Sequence, residues 1–514
     1  MKKMKQKLMC VSILICFFIA FSGKILAQNN TVSIPVETVI DKIRGGLLGQ
    51  ILGDLNGLPH ENRYINEPGN VRNYIPSLPD GAWTDDDTDF EWFYIYEMQK
   101  RREVFLDYDY ISKLWIERVN KGMWCSNRFA RYLMDIGLKP PYTGYMELNP
   151  WAEFNISGQF LCETYGLIAP AMPQTAAKIG LNYTLVAINN EPAQTTQFFT
   201  AMIATAFIEK DIEKILEAGF AALDNKSIIK QIIVDVKNWY TENPLDWQKT
   251  RKLLHDKYTR ENGGTRDRNG HELNTGAIIA ALLYGKGDFQ ETIKHAFNFG
   301  WDADCNAATA GTIVGVTYGY RKMMTQSRFG EPLWQIVDRY KNTTRDNMPN
   351  DETITGFADR IVELFEIVNE KNGGGKTVEN NEVVYKIKKE VPRPVIELPA
   401  TDRKAMLVEQ LGDQIKSNLI SAQREDRARA VFLAVCLDMD ESLKKTNAKA
   451  WNAACYDLSG YWKIMSNIFT GRFQALTNFS NKFVKAGFKA PKKAYTDTEI
   501  YNDKEFWKDP KTIY

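Results

Sequence analysis

The sequence predicts an all-α protein. Two observations carry this. Apolar residues recur at 3.6-residue spacing over most of the chain from Asp41 to about residue 370, and few stretches alternate with period two. A 514-residue chain that is 44% hydrophobic and 25% charged has the composition of a soluble globular protein with room for two or three domains.

In chain order, the first element is a leader. Lys2, Lys3, Lys5 and Lys7 precede the apolar stretch from Leu8 to Phe21, and Ile25-Leu26-Ala27 ends it, the layout of a secretory signal peptide over residues 1–27. The rival reading is an uncleaved anchor, for which the apolar stretch is short. Export to the periplasm or the medium, with no stable membrane insertion after cleavage, is the expectation. Removing residues 1–27 takes away five lysines and no acid and carries the formal net charge from +1 to −4, which excludes a general nucleic-acid footprint. Cys125, Cys162, Cys305, Cys436 and Cys455 remain, without a CxxC pair, and read as buried small hydrophobes rather than a structural zinc site.

Residues 28 to about 37 read as an extended lead-in to a domain over 28–371. Helical periodicity covers 105–119, 193–222, 226–241, 275–284, 289–299, 303–323 and 355–371, with breaks at 139–150, 262–270 and 344–350. Residues 372–400 read as a linker. Asn372-Gly373-Gly374-Gly375 is flexible by composition, Glu382 to Glu390 alternates like a short strand, and Pro392, Pro394 and Pro399 keep the chain extended. A smaller, mildly basic and mainly helical region over 401–514 follows, its Trp451, Tyr456, Tyr461 and Trp462 supplying a small core.

Two acidic clusters lie far apart in sequence, Trp83-Thr84-Asp85-Asp86-Asp87-Thr88-Asp89 and Gly300-Trp301-Asp302-Ala303-Asp304-Cys305-Asn306. Dense carboxylates repel unless a cation sits among them, and hard oxygen ligands suit Mg²⁺, Ca²⁺ or Mn²⁺. Asp41 is placed to cap a helix in which Gly45, Gly49 and Gly53 fall at four-residue intervals. Each glycine costs up to ~1 kcal/mol against alanine. Close approach of another helix justifies three in register, and Ala307, Gly311, Gly315 and Gly319 offer a matching stripe. Separate packing of the two helices remains the alternative. The loop Gly53-Asp54-Leu55-Asn56-Gly57-Leu58-Pro59-His60-Glu61 ends on a carboxylate that is either an acid/base or surface decoration.

Together, the glycine-striped helix with GD-x-x-G-x-x-x-E, the W-T-D-D-D-T-D cluster, and G-x-D-x-D before a small-residue helix resemble the ADP-ribosylglycohydrolase family over about residues 38–370. The resemblance implies a compact all-α domain that cleaves the glycosidic bond of an ADP-ribosyl group with two Mg²⁺ ions, or Mn²⁺. It implies metal ligation by Thr84, Asp85, Asp86, Asp302, Asp304 and the residue at Cys305. The family carries Thr or Ser at this last position, and a thiol is a poor match to Mg²⁺. A register shifted by one, using Asp87, fits as well. Glu61 and Asp86 take catalytic roles, and Glu163, Gly166 and Asn274 fall in stretches similar to those that bind substrate. His271 reads as a hydrogen-bonded loop residue, and Gly263-Gly264 as loop punctuation.

The partner implied is a small-molecule riboside or an ADP-ribosylated substrate; no oligomeric state is implied. Export favours a second reading, a scavenging glycosidase on ribosides or other pentofuranosides. A third is a non-catalytic relative that kept the fold, against which four aspartates in the matched positions argue.

Overall fold

The computed structural model describes residues 30–153, 156–259, 270–328, 331–399, 403–470, 474–493, 495, 499–500, 503 and 505–514. The segment read as a signal peptide and Gly263-Gly264 lie outside the described residues. Among those described, no helix is long and apolar enough to cross a membrane.

The architecture is all-α with small sheets at the margins. A strand, β1 (Thr31–Pro35), leads directly into α1 (Val36–Gly57). The first acidic cluster opens α2 (Asp86–Arg101). Next come α3 (Asn190–Ala206), α4 (His271–Gly285), α5 (Phe289–Phe299) and α6 (Ala303–Tyr318). After α7 (Ile354–Lys371) the chain makes a hairpin of β2 (Gly375–Glu379) and β3 (Glu382–Lys388).

Three expectations are corrected. The 193–222 helix is two, because Asp211 accepts a hydrogen bond from Glu213 N and starts a new helix at Ile212. The 303–323 helix breaks at Gly319, whose φ of +85° leaves the helical region. Asp41 does not cap its own helix, which begins five residues earlier; its Oδ1 accepts from Arg321 N at 2.8 Å and holds the start of the short helix Tyr320–Met324.

The centre of the domain is the antiparallel crossing of α1 and α6. A Cβ added to Gly45 would lie 2.6 Å from Gly315 O, one on Gly49 2.1 Å from Gly311 O, and one on Gly53 2.2 Å from Ala307 O. The two stripes read from the sequence therefore face one another at backbone contact. Leu47, Leu48, Ile51 and Leu52 of α1 and Ile313, Val314 and Val316 of α6 are fully buried around that seam.

The glycine-rich stretch after α7 is the turn into the hairpin. Gly373 N and Gly374 N donate to Glu370 O and Asn369 O at 2.9 and 2.8 Å. β3 pairs antiparallel with β1, Thr31 opposite Lys388 and Ile34 opposite Tyr385, in a sheet ordered β1-β3-β2. The proline-spaced stretch beyond is laid across α3, where Gln197 Oε1 accepts from Val395 N and Ile396 N. The C-terminal helices share the hydrophobic core of the first domain. Phe129 meets the rings of Phe432 and Phe479 edge-on, and Arg429 Nη1 donates to Ile136 O at 2.7 Å.

A methyl group in the α1–α6 seam overlaps backbone that cannot give way. Gly49→Ala is expected to lower the unfolding free energy by about 2–3 kcal/mol despite its better helix propensity. Gly412→Ala, whose added Cβ meets only Met439 Cε at 3.7 Å, is expected to raise it by about 0.5–1 kcal/mol. Urea unfolding midpoints of the two variants check both signs.

Candidate metal centre

The crossing direction decides what meets. The C-terminal turn of α1 carries Asp54 to the N-terminus of α6, where an added Gly57 Cβ would lie 2.4 Å from Asp304 Cα. The N-terminus of α2 arrives beside them with Asp85 as its N-cap and Asp86 and Asp87 in its first turn. Two helix N-termini thus face the acids, a favourable dipole orientation worth ~0.3–1 kcal/mol each.

Three overlapping donor groups result, each with its ligand atoms within 4.8 Å of one another: Asp54, Asp85, Asp87 and Asp304; Glu61, Asp302 and Asp304; and Asp87, Asp304 and Cys305. Asp304 belongs to all three. Both carboxylate oxygens of Asp54, Oδ2 of Asp87 and Oδ1 of Asp304 are buried without a hydrogen-bond partner. Burial first, and the neighbouring acids next, push Asp54, Asp86, Asp87 and Asp304 well above the usual carboxylate range. Buried anionic oxygens lacking donors are strongly destabilising unless a cation lies between them. A donor set of this kind, dominated by carboxylates, fits a divalent ion, which reverses the sign of these interactions.

The cluster forms the floor of a cavity of about 430 Å³. Glu61, Asn62, Asp85, Asp86, Asp302 and Asp304 line one side, and Leu58, Trp124, Ile156 and Phe160 give it an apolar wall. Trp124 is 50% exposed. Glu61 stands at the rim, open to the cavity's solvent, yet the cavity walls displace enough water to raise its carboxyl to about 7, with Asp302 and Asp85 adding to the effect. Asn62 Nδ2 donates to Glu61 Oε1 at 2.8 Å.

The loops are fixed from behind. Asn62 N donates to Trp301 O at 2.8 Å, and Asn298 brackets Val71, accepting from its N and donating to its O. Arg251 stacks over Trp301, its guanidinium carbon 4.5 Å from the ring centroid, and donates to Tyr64 O, Ile65 O and Phe299 O. A chain of amides supports the Asp302 turn: Asn274 Oδ1 accepts from Asp302 N and from Asn306 Nδ2, and Gln159 Nε2 donates to Asn306 Oδ1. Asp89 pairs with Arg345, both fully buried.

Of the residues singled out from sequence, Glu61, Asp85, Asp86, Asp302, Asp304 and Cys305 meet at the cavity. Thr84 turns aside, its Oγ1 accepting from Thr343 N at 2.7 Å. Glu163 and Gly166 lie behind the wall rather than on it. Glu163 accepts from Thr309 Oγ1 at 2.5 Å and from Cys162 N at 3.0 Å, and a Cβ on Gly166 would meet Ile203. Burial holds Glu163 at about 7. Asn274 is buried and reaches the site only through the loop that it props. His271 begins α4, with Nδ1 3.4 Å from Glu272 Oε2. Asp54, which joins one donor group, is not among the residues singled out from sequence; a lone acid directly after a glycine stripe is its only signal. The props Gln159, Asn298 and Asn306 had no signal of their own.

A sequence profile of the ADP-ribosylglycohydrolase family matches residues 35–368. The chain belongs to the ADP-ribosylglycohydrolase family. This is a hydrolase family, and the helical architecture around the α1–α6 seam is the ADP-ribosylglycohydrolase fold. A solved structure described as an ADP-ribosylglycohydrolase-related protein complex is similar over 65% of this chain and 99% of its own, at 15% identity and a TM-score of 0.44. No curated protein matches the chain.

Glu61 and Glu163, raised to about 7 from an ordinary 4.5, bind their protons more tightly in the folded than in the unfolded protein. Their contribution to metal-free stability is therefore fullest below the ordinary value and is lost as pH rises through about 7. Unfolding midpoints measured in EDTA across this window are expected to fall with pH, with a shallower slope in Glu163→Gln. Mn²⁺ at about a hundred times its Kd is expected to add ~2.7 kcal/mol at neutral pH, and Asp304→Asn to remove that gain.

Proposed function

We propose that the protein is a metal-dependent hydrolase of a ribosyl glycosidic bond of the ADP-ribosyl type. The observation that carries this reading is the convergence of Asp54, Asp85, Asp87, Asp302 and Asp304 beside an open cavity, where Asp54, Asp87 and Asp304 keep buried oxygens without a hydrogen-bond partner. These five would hold two divalent ions, Mg²⁺ or Mn²⁺. When bound, such ions supply electrostatic attraction for ribose hydroxyls and for the hydrolytic water.

The chain's own residues divide the remaining work. Cleavage of a glycosidic bond passes through an oxocarbenium-like state and needs a group that gives and takes a proton near the anomeric carbon. Glu61, at the rim and steadied by Asn62, is placed for that exchange. Asp86 faces the cavity from the first turn of α2 and orients a sugar hydroxyl or water. Trp124, with Ile156 and Phe160, offers an apolar face to the sugar ring or the leaving group and excludes water from that side.

That same wall favours a second reading of the substrate. An indole opposite a row of carboxylates suits an uncharged pentose ring, so a riboside or another pentofuranoside is the alternative, consistent with the leader read at residues 1–27 and action outside the cytoplasm.

Three outcomes test this. Incubated with ADP-ribosyl-arginine, ADP-ribosyl-serine peptide, ADP-ribose, nucleosides and pentofuranosyl oligosaccharides, the protein is expected to release ADP-ribose or a free pentose with Mg²⁺ or Mn²⁺ and not with EDTA, read by mass spectrometry. Asp302→Ala is expected to abolish turnover while circular dichroism keeps its helical signature; normal turnover in that variant refutes the reading. Trp124→Ala is expected to raise KM about tenfold with a smaller change in kcat.

A further inference from the structure

The two ends of the acid cluster differ in ligand chemistry. The outer group, Glu61, Asp302 and Asp304, offers oxygen alone. At the inner end Cys305, on the first turn of α6, points its thiol into the cluster. Sγ donates to Asp87 Oδ1 at 2.8 Å, and only 5% of the residue is exposed. Sγ, an Asp87 oxygen and an Asp304 oxygen lie within 4.8 Å of one another. Asp87 and Asp304 are almost wholly buried, and each keeps one oxygen, Oδ2 and Oδ1 respectively, without a hydrogen-bond partner.

We propose that Asp87, Asp304 and Cys305 Sγ form a thiophilic metal position that takes a Zn²⁺-class ion, so that the centre pairs one soft-liganded ion with one hard-liganded ion. The proposal rests on the metal-dependent reading above and deepens it. A hydroxyl at position 305 would be a neutral, hard ligand. A thiolate adds both a charge and a polarisable donor, and a site with mixed sulfur and carboxylate ligands ranks Zn²⁺ and its heavier congener Cd²⁺ far above Mg²⁺. The ion takes the place of the proton that Sγ now donates to Asp87. Among the other described thiols, Cys162 Sγ donates to a backbone carbonyl, Gln159 O, and Cys436 and Cys455 lie in the C-terminal region.

Cd²⁺ is the probe, because thiolate ligation gives it an ultraviolet charge-transfer band that oxygen ligands do not. Titrated into the metal-free protein, Cd²⁺ is expected to develop this band to a plateau at one ion per chain, to lose it to Zn²⁺, and to keep it in excess Mg²⁺. Cys305→Ser is expected to lack the band and to bind Cd²⁺ about tenfold more weakly or worse, while Cys162→Ser keeps both. The wild-type result stands even if a variant does not fold. Cd²⁺ bound in equilibrium dialysis without the band overturns the thiophilic position and leaves an all-oxygen centre intact. A band that persists in Cys305→Ser overturns it too. Failure to bind Cd²⁺, Mg²⁺ and Mn²⁺ alike overturns the metal-dependent reading, and this proposal with it.

Discussion

The backbone contact between α1 and α6 is the constraint on which the rest depends. Ridges of side chains normally keep helix axes 8–10 Å apart. Here glycine lets carbonyl oxygens of one helix sit where the other would carry Cβ. The contact also fixes register, since only one alignment sets Gly45, Gly49 and Gly53 against Gly315, Gly311 and Ala307. That register, with the antiparallel direction, leaves Asp54 and Asp304 no choice but to meet. A slip of one turn would place a carboxylate against apolar core instead.

Around the acids, polar groups are used to shape rather than to neutralise. Arg345 is committed to Asp89 and to the carbonyls of Lys121 and Gly122. Gln50 bridges Asp87 O and Glu91. Asn274, Asn306 and Gln159 hold the opposite loop through its backbone. Buried oxygens of Asp54, Asp87 and Asp304 stay free of donors while these side chains tie the backbone behind them. Such an arrangement costs stability locally unless a cation lies among the acids, a pattern expected at functional positions.

Much of this was legible in the sequence, and the limits have physical causes. The glycine stripes were readable because glycine at helical spacing has few other uses. The two acidic runs were readable because unsupported charge density demands compensation. Which member of Asp85-Asp86-Asp87 turns inward was not, because it depends on where α2 begins. Glu163 and Gly166 fall in a stretch similar to one that binds substrate in the family, yet only packing shows that they face Thr309 and Ile203. Asp89 belongs to the same acidic run, yet its commitment to Arg345, 256 residues away, has no local signal. The glycine run after Lys371 read as slack, but its backbone bonds to the end of α7 turn it into a hairpin, since composition reports what a segment permits and not what captures it.

The closing of β1 onto β3 has a consequence in time. The strand at residue 31 is among the first described parts of the chain to be synthesised, and its partner at residue 388 lies hundreds of residues later. α1 waits in the same way for α6. Neither the sheet nor the central seam can form while the chain is half made, so the early helices must persist without their partners. Contacts so distant in sequence make for slow, late folding and for prolonged exposure of apolar surface. A chain built in this order keeps apolar surface open until the strand ending at Lys388 has been made.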